Sequence, residues 1–342
     1  MDDQKPVDPD GAAELIEAYY QQGWTDGFPV VPPSEQSIEA MLAVVDFQKD
    51  TVVATIEARN TVITADKVVL NAIMAGCLPK YMPVIVSAIK GMCHPDFSYH
   101  GMATSTGGAS LVVIVNGPIA EQLGINSREN VFGPGVRANM TIGRALRLLM
   151  MNSLNTRPGV LDRSTIGSPG KISFCFAENE AGSPWDPLHV ERGFDRKDST
   201  TTVYAAEDII QVYNQLARTP EALLLGMADA MANMGSVNIV GQQNVIAVFA
   251  GEHTQVLSDN GWNKKQIKRY LFENAKRKIA DLKRSARLPG EPQPEDENTW
   301  RHAVSNPDDI LIVCAGGEVG NFSACLLGWS SLKSTRAITT II

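Results

Sequence analysis

Apolar and polar positions along this chain fall into two long stretches with the same order of elements. Residues 111–149 read LVVIVNGPIAEQLGINSRENVFGPGVRANMTIGRALRLL, and residues 245–283 read VIAVFAGEHTQVLSDNGWNKKQIKRYLFENAKRKIADLK. Each opens on an apolar run of strand length and continues into a glycine with polar neighbours. An amphipathic stretch closing on Gly-Ile-Asn or Gly-Trp-Asn follows, and then a basic helix. Gly117 and Gly251 stand 251 − 117 = 134 residues apart, and Asn126 and Asn263 stand 263 − 126 = 137 apart. A shorter version, ILIVCAGGEVGNFSACLLGW, occupies 310–329. Self-similarity of this kind predicts an α/β fold of internally repeated strand–turn–helix units around mixed sheets. The repeats are expected to superpose, each as a strand, a turn at Gly117 or Gly251, and a helix at 139–150 or 263–284. Ligands of open α/β folds lie at the ends of such strands.

The remaining pattern fills in the two units. Helices are expected at 11–22, stopped by Gly23, and at 35–45, opened by Ser34 as N-cap. Others are expected at 67–76, 83–92, 206–217 and 220–232. Strands are expected at 51–58, 171–180 and 201–205. Pro29, Pro32 and Pro33 keep the segment before the second helix extended. The loop CHPDFSYHGMATSTGGAS at 93–110 is of a length that is functional or mobile in compact domains. The Pro-rich acidic stretch 288–300 reads as an excursion. Residues 1–200 then form a first α/β unit with an N-terminal helical region. Residues 201–342 form a second unit carrying the excursion.

Composition narrows the classes of function. The chain has 342 residues and a net charge of −8, and phosphate-binding proteins need clustered Lys and Arg, so no nucleic-acid partner is expected. The basic run from Lys264 to Arg287 alternates with apolar residues at helical spacing and reads as a solvated face. No apolar run reaches membrane-spanning length, and the acidic start MDDQKPVDPDG lacks the apolar segment of a signal peptide. Five cysteines without a close pair suit reduced thiols. The expectation is a cytoplasmic homo-oligomer that acts on a small molecule and has no membrane partner.

Four strands run into polar or glycine-rich clusters: Asn116-Gly117, Glu178-Asn179-Glu180, Gly251-Glu252-His253 and Gly316-Gly317-Glu318. Glu178 and Glu180, two apart, share a face of a strand, and close carboxylates separate their pKa values as acid/base work requires. Gly133-Pro134-Gly135 precedes a helix whose start offers free N–H groups. There Arg137, Asn139, Thr141 and Arg144 are candidates to hold a negative group. Ser105 and Thr106 in the 93–110 loop are candidate substrate contacts, and His100, Glu252 or His253 is a catalytic counterpart to the glutamates. Cys93, His94 and His100 match no standard zinc spacing. The glycines at 316–320 lack a following βαβ unit and the 133–135 loop lacks a Lys-Ser/Thr, so no organic cofactor is expected. Cys175 reads as a buried thiol, and Cys325 as the thiol nearest a site.

The run Trp24-Thr25-Asp26-Gly27-Phe28-Pro29-Val30-Val31-Pro32-Pro33 resembles the opening of a family of soluble bacterial proteins. The likeness continues through Asn71 to Cys77, Asn116 to Ile119, Gly133 to Asn139, Thr141-Ile142-Gly143-Arg144 and Ser183-Pro184-Trp185. The resemblance implies a stand-alone soluble bacterial protein and carries over no catalytic residue. From the residues alone, the leading reading is a hydrolase or lyase working by acid/base chemistry on a small anionic or carbonyl-bearing molecule. In it Glu178 or Glu180 moves the proton and Asn116 steadies an oxyanion. A metal-dependent enzyme with His and Glu ligands and a non-catalytic binding protein are the alternatives.

Overall fold

The computed structural model describes residues 9–329 and 335–342, so most of the acidic start lies outside them. Strands β1 (Val52–Ile56) and β2 (Thr61–Thr64) pair antiparallel beside the N-terminal helices. The main sheet uses β3 (Ser110–Asn116), β4 (Cys175–Ala177), β5 (Thr200–Tyr213) and β6 (Val245–Phe249). A two-stranded ribbon of β7 (Lys276–Lys278) and β8 (Trp300–His302) stands apart. The main sheet is completed by β9 (Ile310–Cys314), β10 (Phe322–Gly328) and β11 (Ile338–Ile341). Its order is β4-β3-β5-β10-β6-β9, with β11 on β5.

Two parallel pairs flank an antiparallel centre. β3 lies parallel to β4 with Val115 opposite Ala177, and β6 lies parallel to β9 with Phe249 opposite Cys314. The long β5 pairs with β3 through Thr200–Ala206 and with β10 from Ala206 to Tyr213. β10 is antiparallel to β6 as well. The β3–β4 pair therefore runs opposite to the β6–β9 pair. The sheet curls until its edges meet: the Asn179 N–H, just past β4, donates to the Cys314 carbonyl at the end of β9 over 2.7 Å. The carboxyl ends of both pairs thus come together at one seam.

Side chains alternate across the sheet with the period of two that strands impose. Ile114, Phe176, Tyr204, Val248, Val313 and Leu326 face the inside of the curl and form a core to which both halves contribute. Their neighbours face outward. Val113, Val115 and Cys175 lie under the helices Ala65–Ala75, Met82–Met92 and Arg137–Asn152. Phe249, Ile312, Cys325 and Leu327 lie under Pro220–Met231, Gly251–Asp259 and Lys264–Asn274. The boundary expected at residue 200 falls at the start of β5, and the two expected units share one sheet and one inner core. No helix among the described residues is long and apolar enough to cross a membrane.

Three sequence expectations change. The run 206–217 is strand through Tyr213, not helix: its Ala, Glu and Gln favour a helix locally, but ladder pairing with β10 and burial of alternate side chains override that preference. The helix expected over 263–284 breaks after Asn274, because Lys276–Lys278 pairs with Trp300–His302 from the Pro-rich excursion. The strand expected at 171–180 is regular only over Cys175–Ala177, since Pro169–Lys171 is a 3-10 turn.

The N-terminal arm is fixed to the helix Arg137–Asn152 by Arg144. Arg144 donates from Nε and Nη2 to the two Asp26 carboxylate oxygens over 2.8 and 2.7 Å. It also reaches the Pro29 carbonyl at 2.9 Å and lies 5.8 Å from the Phe28 ring centre. Gly143, one residue earlier, packs so close to the 173–174 backbone that a Cβ there would lie 2.8 Å from the Phe174 nitrogen. Thr-Ile-Gly-Arg and Trp-Thr-Asp-Gly-Phe-Pro are two sides of one clamp.

Candidate functional site

At the carboxyl ends of β3 and β4, one residue beyond the last paired positions, stand Asn116 and Glu178. Both side chains follow the inward-facing parity of their strands. Asn116 Nδ2 donates to Glu178 Oε2 over 2.6 Å and to Glu180 Oε1 over 3.0 Å, so one amide bridges the two carboxylates. Glu178 Oε2 also accepts the Leu188 N–H at 2.8 Å, and Glu180 Oε1 accepts the Gly117 N–H at 2.7 Å. Gly117 has φ +84, and a Cβ there would lie 2.1 Å from the Asp198 carbonyl oxygen, so no other residue fits this turn.

The second half of the chain completes the site. Lys264, at the start of the helix Lys264–Asn274, lies 4.0 Å from Glu178 Oε1 and 2.9 Å from Glu191 Oε2. Lys268, one turn on, pairs with the other Glu191 oxygen. His189 is 0% exposed, with Nδ1 3.8 Å from Glu180 Oε1. Unpartnered buried atoms concentrate here: Asn116 Oδ1, Glu178 Oε1, both ring nitrogens of His189, and the hydroxyl of Thr200, the residue opposite Asn116 on β5. Each such atom costs roughly 1–3 kcal/mol when buried without a partner. Their grouping marks a place where stability is given up.

Burial raises the Glu178 carboxyl above the ordinary carboxylate range and Glu180 adds to that, against Lys264 and the Leu188 and Asn116 hydrogen bonds. Glu191 moves the other way, because its two lysines outweigh its burial. Cys314, across the seam, is pushed up to about 11 by burial despite hydrogen bonds from Ser183 and Thr254, so its thiol stays protonated near neutral pH. The segment 179–187, which follows Glu178, is tied to the second half where Trp185 Nε1 donates to the Trp262 carbonyl over 2.9 Å.

The expected site residues separate into several places. Asn116, Glu178 and Glu180 come together as described. Arg137 and Arg144 do not join them. Arg137 caps the Gly76 carbonyl with two N–H groups, and Arg144 is paired with Asp26. Asn139 grips the backbone of Asn126, accepting its N–H and donating to its carbonyl, and Thr141 bonds the Arg137 carbonyl within its own helix. Ser105 accepts from the Trp329 indole, and the Thr106 carbonyl accepts the Thr165 N–H. His100 is exposed beside a different cavity of about 720 Å³, where burial pushes the neighbouring Cys93 thiol up to about 12.

His253 is 1% exposed and lies behind the sheet. Its Nε2 faces the Asn214 carbonyl, which can only accept, so Nε2 carries the hydrogen and Nδ1 accepts from the Ser323 hydroxyl at 2.7 Å. Burial lowers its pKa. Ser323 alternates with the inward-facing Ala324, so this pair ties the helix Gly251–Asp259 to β10. Glu252 accepts three N–H groups, from the backbones of Gly320 and Asn321 and from the Asn321 amide, and so shapes the glycine loop. Cys325 is fully buried in the outer core. Among the described residues, no three His, Cys, Asp or Glu side chains are arranged to hold a metal ion.

Sequence reasoning missed His189, Glu191, Lys264 and Lys268. Lys264 and Lys268 stand four apart on one helix face, a spacing that pairs them toward a common partner. That partner lies 268 − 191 = 77 residues away, and local pattern holds no sign of it. Comparison of the chain with family models, with curated proteins and with solved structures returned no match.

Proposed function

We propose that the chain is an enzyme of acid/base type acting on a small anionic or carbonyl-bearing molecule, as a hydrolase or lyase, with Glu178 as proton carrier. The observation that carries this is the Glu178 carboxyl itself. It is wholly buried, held through Oε2 by two donors, raised in pKa, and left with Oε1 unpartnered 4.0 Å from Lys264. A carboxyl whose pKa burial raises is a better general acid than an ordinary one, and Oε1 is the oxygen free to give or take the proton. Asn116 fixes its orientation, and Lys264 offsets negative charge that builds beside it. The test is turnover of a panel of small esters, amides and hydroxy acids by the wild-type chain, Glu178→Gln and Glu180→Gln. Glu178→Gln should lose roughly 10²–10⁴-fold in kcat. Full turnover in that variant across pH would remove the assignment.

In the same proposal, the two strand–helix–strand sets are copies of one unit. Their matching strand order and register outward from the β5–β10 pair support it, and failure of the two sets to superpose would dismiss it. The non-catalytic alternative is favoured by one observation: the open cleft at the β6–β9 end is lined by neutral groups, and its carboxylate, Glu252, is already bonded to three N–H groups.

A further inference from the structure

At the β6–β9 end the residues one step beyond the last pair are Ala250 and Ala315. They occupy the positions that Asn116 and Glu178 hold at the β3–β4 end. The backbone repeats closely: the Glu178 N–H donates to Val115 over 3.2 Å, and the Ala315 N–H donates to Phe249 over 3.1 Å. Two methyl groups stand where an amide and a carboxylate stand at the other end. The result is a cleft of about 460 Å³ in which both alanines form part of the wall.

We propose that this cleft is a second binding site, separate from Glu178, for a small neutral molecule with an apolar ring and a hydrogen-bonding edge. Its volume lies in the range of small-molecule pockets, about 300–1,000 Å³. Val248, Ala324 and Phe132 of the inner core give it an apolar floor. The Gln211 amide, the Asn130 amide, whose nitrogen donates to Pro134, and the Gly316-Gly317 backbone, whose Gly316 N–H donates to Ser127 and whose Gly317 carbonyl accepts from Gly251, give it polar groups without net charge. Among the described residues, no Lys or Arg lines it. Glu252 is its one carboxylate, and all three of the N–H groups bonded to that carboxylate come from the 320–321 turn. On the loop above, Glu318 is paired with Arg128. An anion would leave water here and find no cation among the described lining residues, and a cation would meet only Glu252, whose Oε2 is already bonded to three N–H groups, costs that a neutral ligand avoids.

Three probes of one size separate the cases: benzamide, benzoate and benzylamine, titrated against the full chain with the backbone amides followed by NMR. Benzamide should bind with a Kd of roughly 1 mM, as fits so few atoms, and should shift the Gly316 and Gly317 signals. Benzoate and benzylamine should bind at least about tenfold more weakly. Ala324→Met fills the floor and should abolish benzamide binding. Should that variant fail to fold, Gln211→Trp, an exposed change that covers the mouth, should have the same effect. Glu178→Gln should leave benzamide binding unchanged, so this test and the turnover test fail independently. Equal binding of the charged probes, no binding of any probe, or benzamide bound undiminished by a folded blocking variant each overturns the proposal.

Discussion

Where β3 and β4 finish, the chain places Asn116 and Glu178 one step past the last paired residues; where β6 and β9 finish, it places Ala250 and Ala315 at the same step. Past β3 and past β6 the chain turns on a glycine at the same step, Gly117 or Gly251. The first end is filled by charges that reach across from the other half, and almost no side-chain surface is left open. The second end keeps a cleft, with its only carboxylate spent on holding a loop. The lesson is that the backbone supplies the location and two side chains decide its content. Buried charge on one side requires partners from afar, and small side chains on the other leave room.

The largest effect is expected from unbalancing the filled end. Lys264→Met leaves Glu178 without its nearest cation and Glu191 with Lys268 alone, while nearly preserving the length of the side chain. Breaking a buried pair in this way costs roughly 3–5 kcal/mol, read as a lowered urea midpoint. A loss under about 1 kcal/mol would mean that charge pairing does not hold that end together.

A middle effect is expected at the open end. Glu252→Gln keeps the shape but removes the charge that gathers the Gly320 and Asn321 N–H groups. Charge-assisted bonds of this kind are worth roughly 1.5–3 kcal/mol each, and a glutamine recovers part of them, so a net loss of about 1–2 kcal/mol is expected. Hydrogen exchange at those two amides should quicken. Unchanged exchange would show that the loop keeps its form without the carboxylate.

The smallest effect has the opposite sign and depends on pH. The Glu178 carboxyl is raised in the folded chain, so below the ordinary carboxylate range it is protonated in both folded and unfolded states, and Glu178→Gln changes little. As pH rises, the unfolded chain ionises freely while the folded chain resists, and the wild type loses stability that the glutamine variant keeps. The melting temperature of Glu178→Gln minus that of the wild type should therefore grow as pH rises above the ordinary carboxylate range, about pH 4. A difference that is flat or falls with pH would place the carboxyl in an environment that favours its charge.

Legibility from sequence follows the range of each interaction. The apolar runs of β3, β6 and β9, and the polar clusters that close them, were readable because alternation and turn chemistry are local. The meeting of Asn116 with Glu178 and Glu180 followed from neighbouring strands. The fate of Arg144 was not readable, because a helix start and two arginines suggest an anion as readily as they suggest Asp26, which lies 144 − 26 = 118 residues earlier. Residues 206–213 misled because their composition suits a helix, and only β10, more than 100 residues later, makes them strand. His189 carries no local mark at all: it sits between Leu188 and Val190 in a short helical turn, and only the folded chain shows that it is sealed from water.

The position of β10 also governs how the molecule can be assembled. β10 is inserted between β5 and β6, though it is made long after both, at residues 322–328. Until it emerges during synthesis, the β5 and β6 edges have no ladder to complete, and the inner core lacks Ala324 and Leu326. Contacts of such sequence separation form late and make folding slow. An incomplete chain carries two unpaired edges that can pair with other chains. The strand that joins the two halves is therefore also the point at which a growing chain stops being prone to aggregate, and a ribosome-stalled chain ending before Phe322 should need a chaperone that the finished one does not.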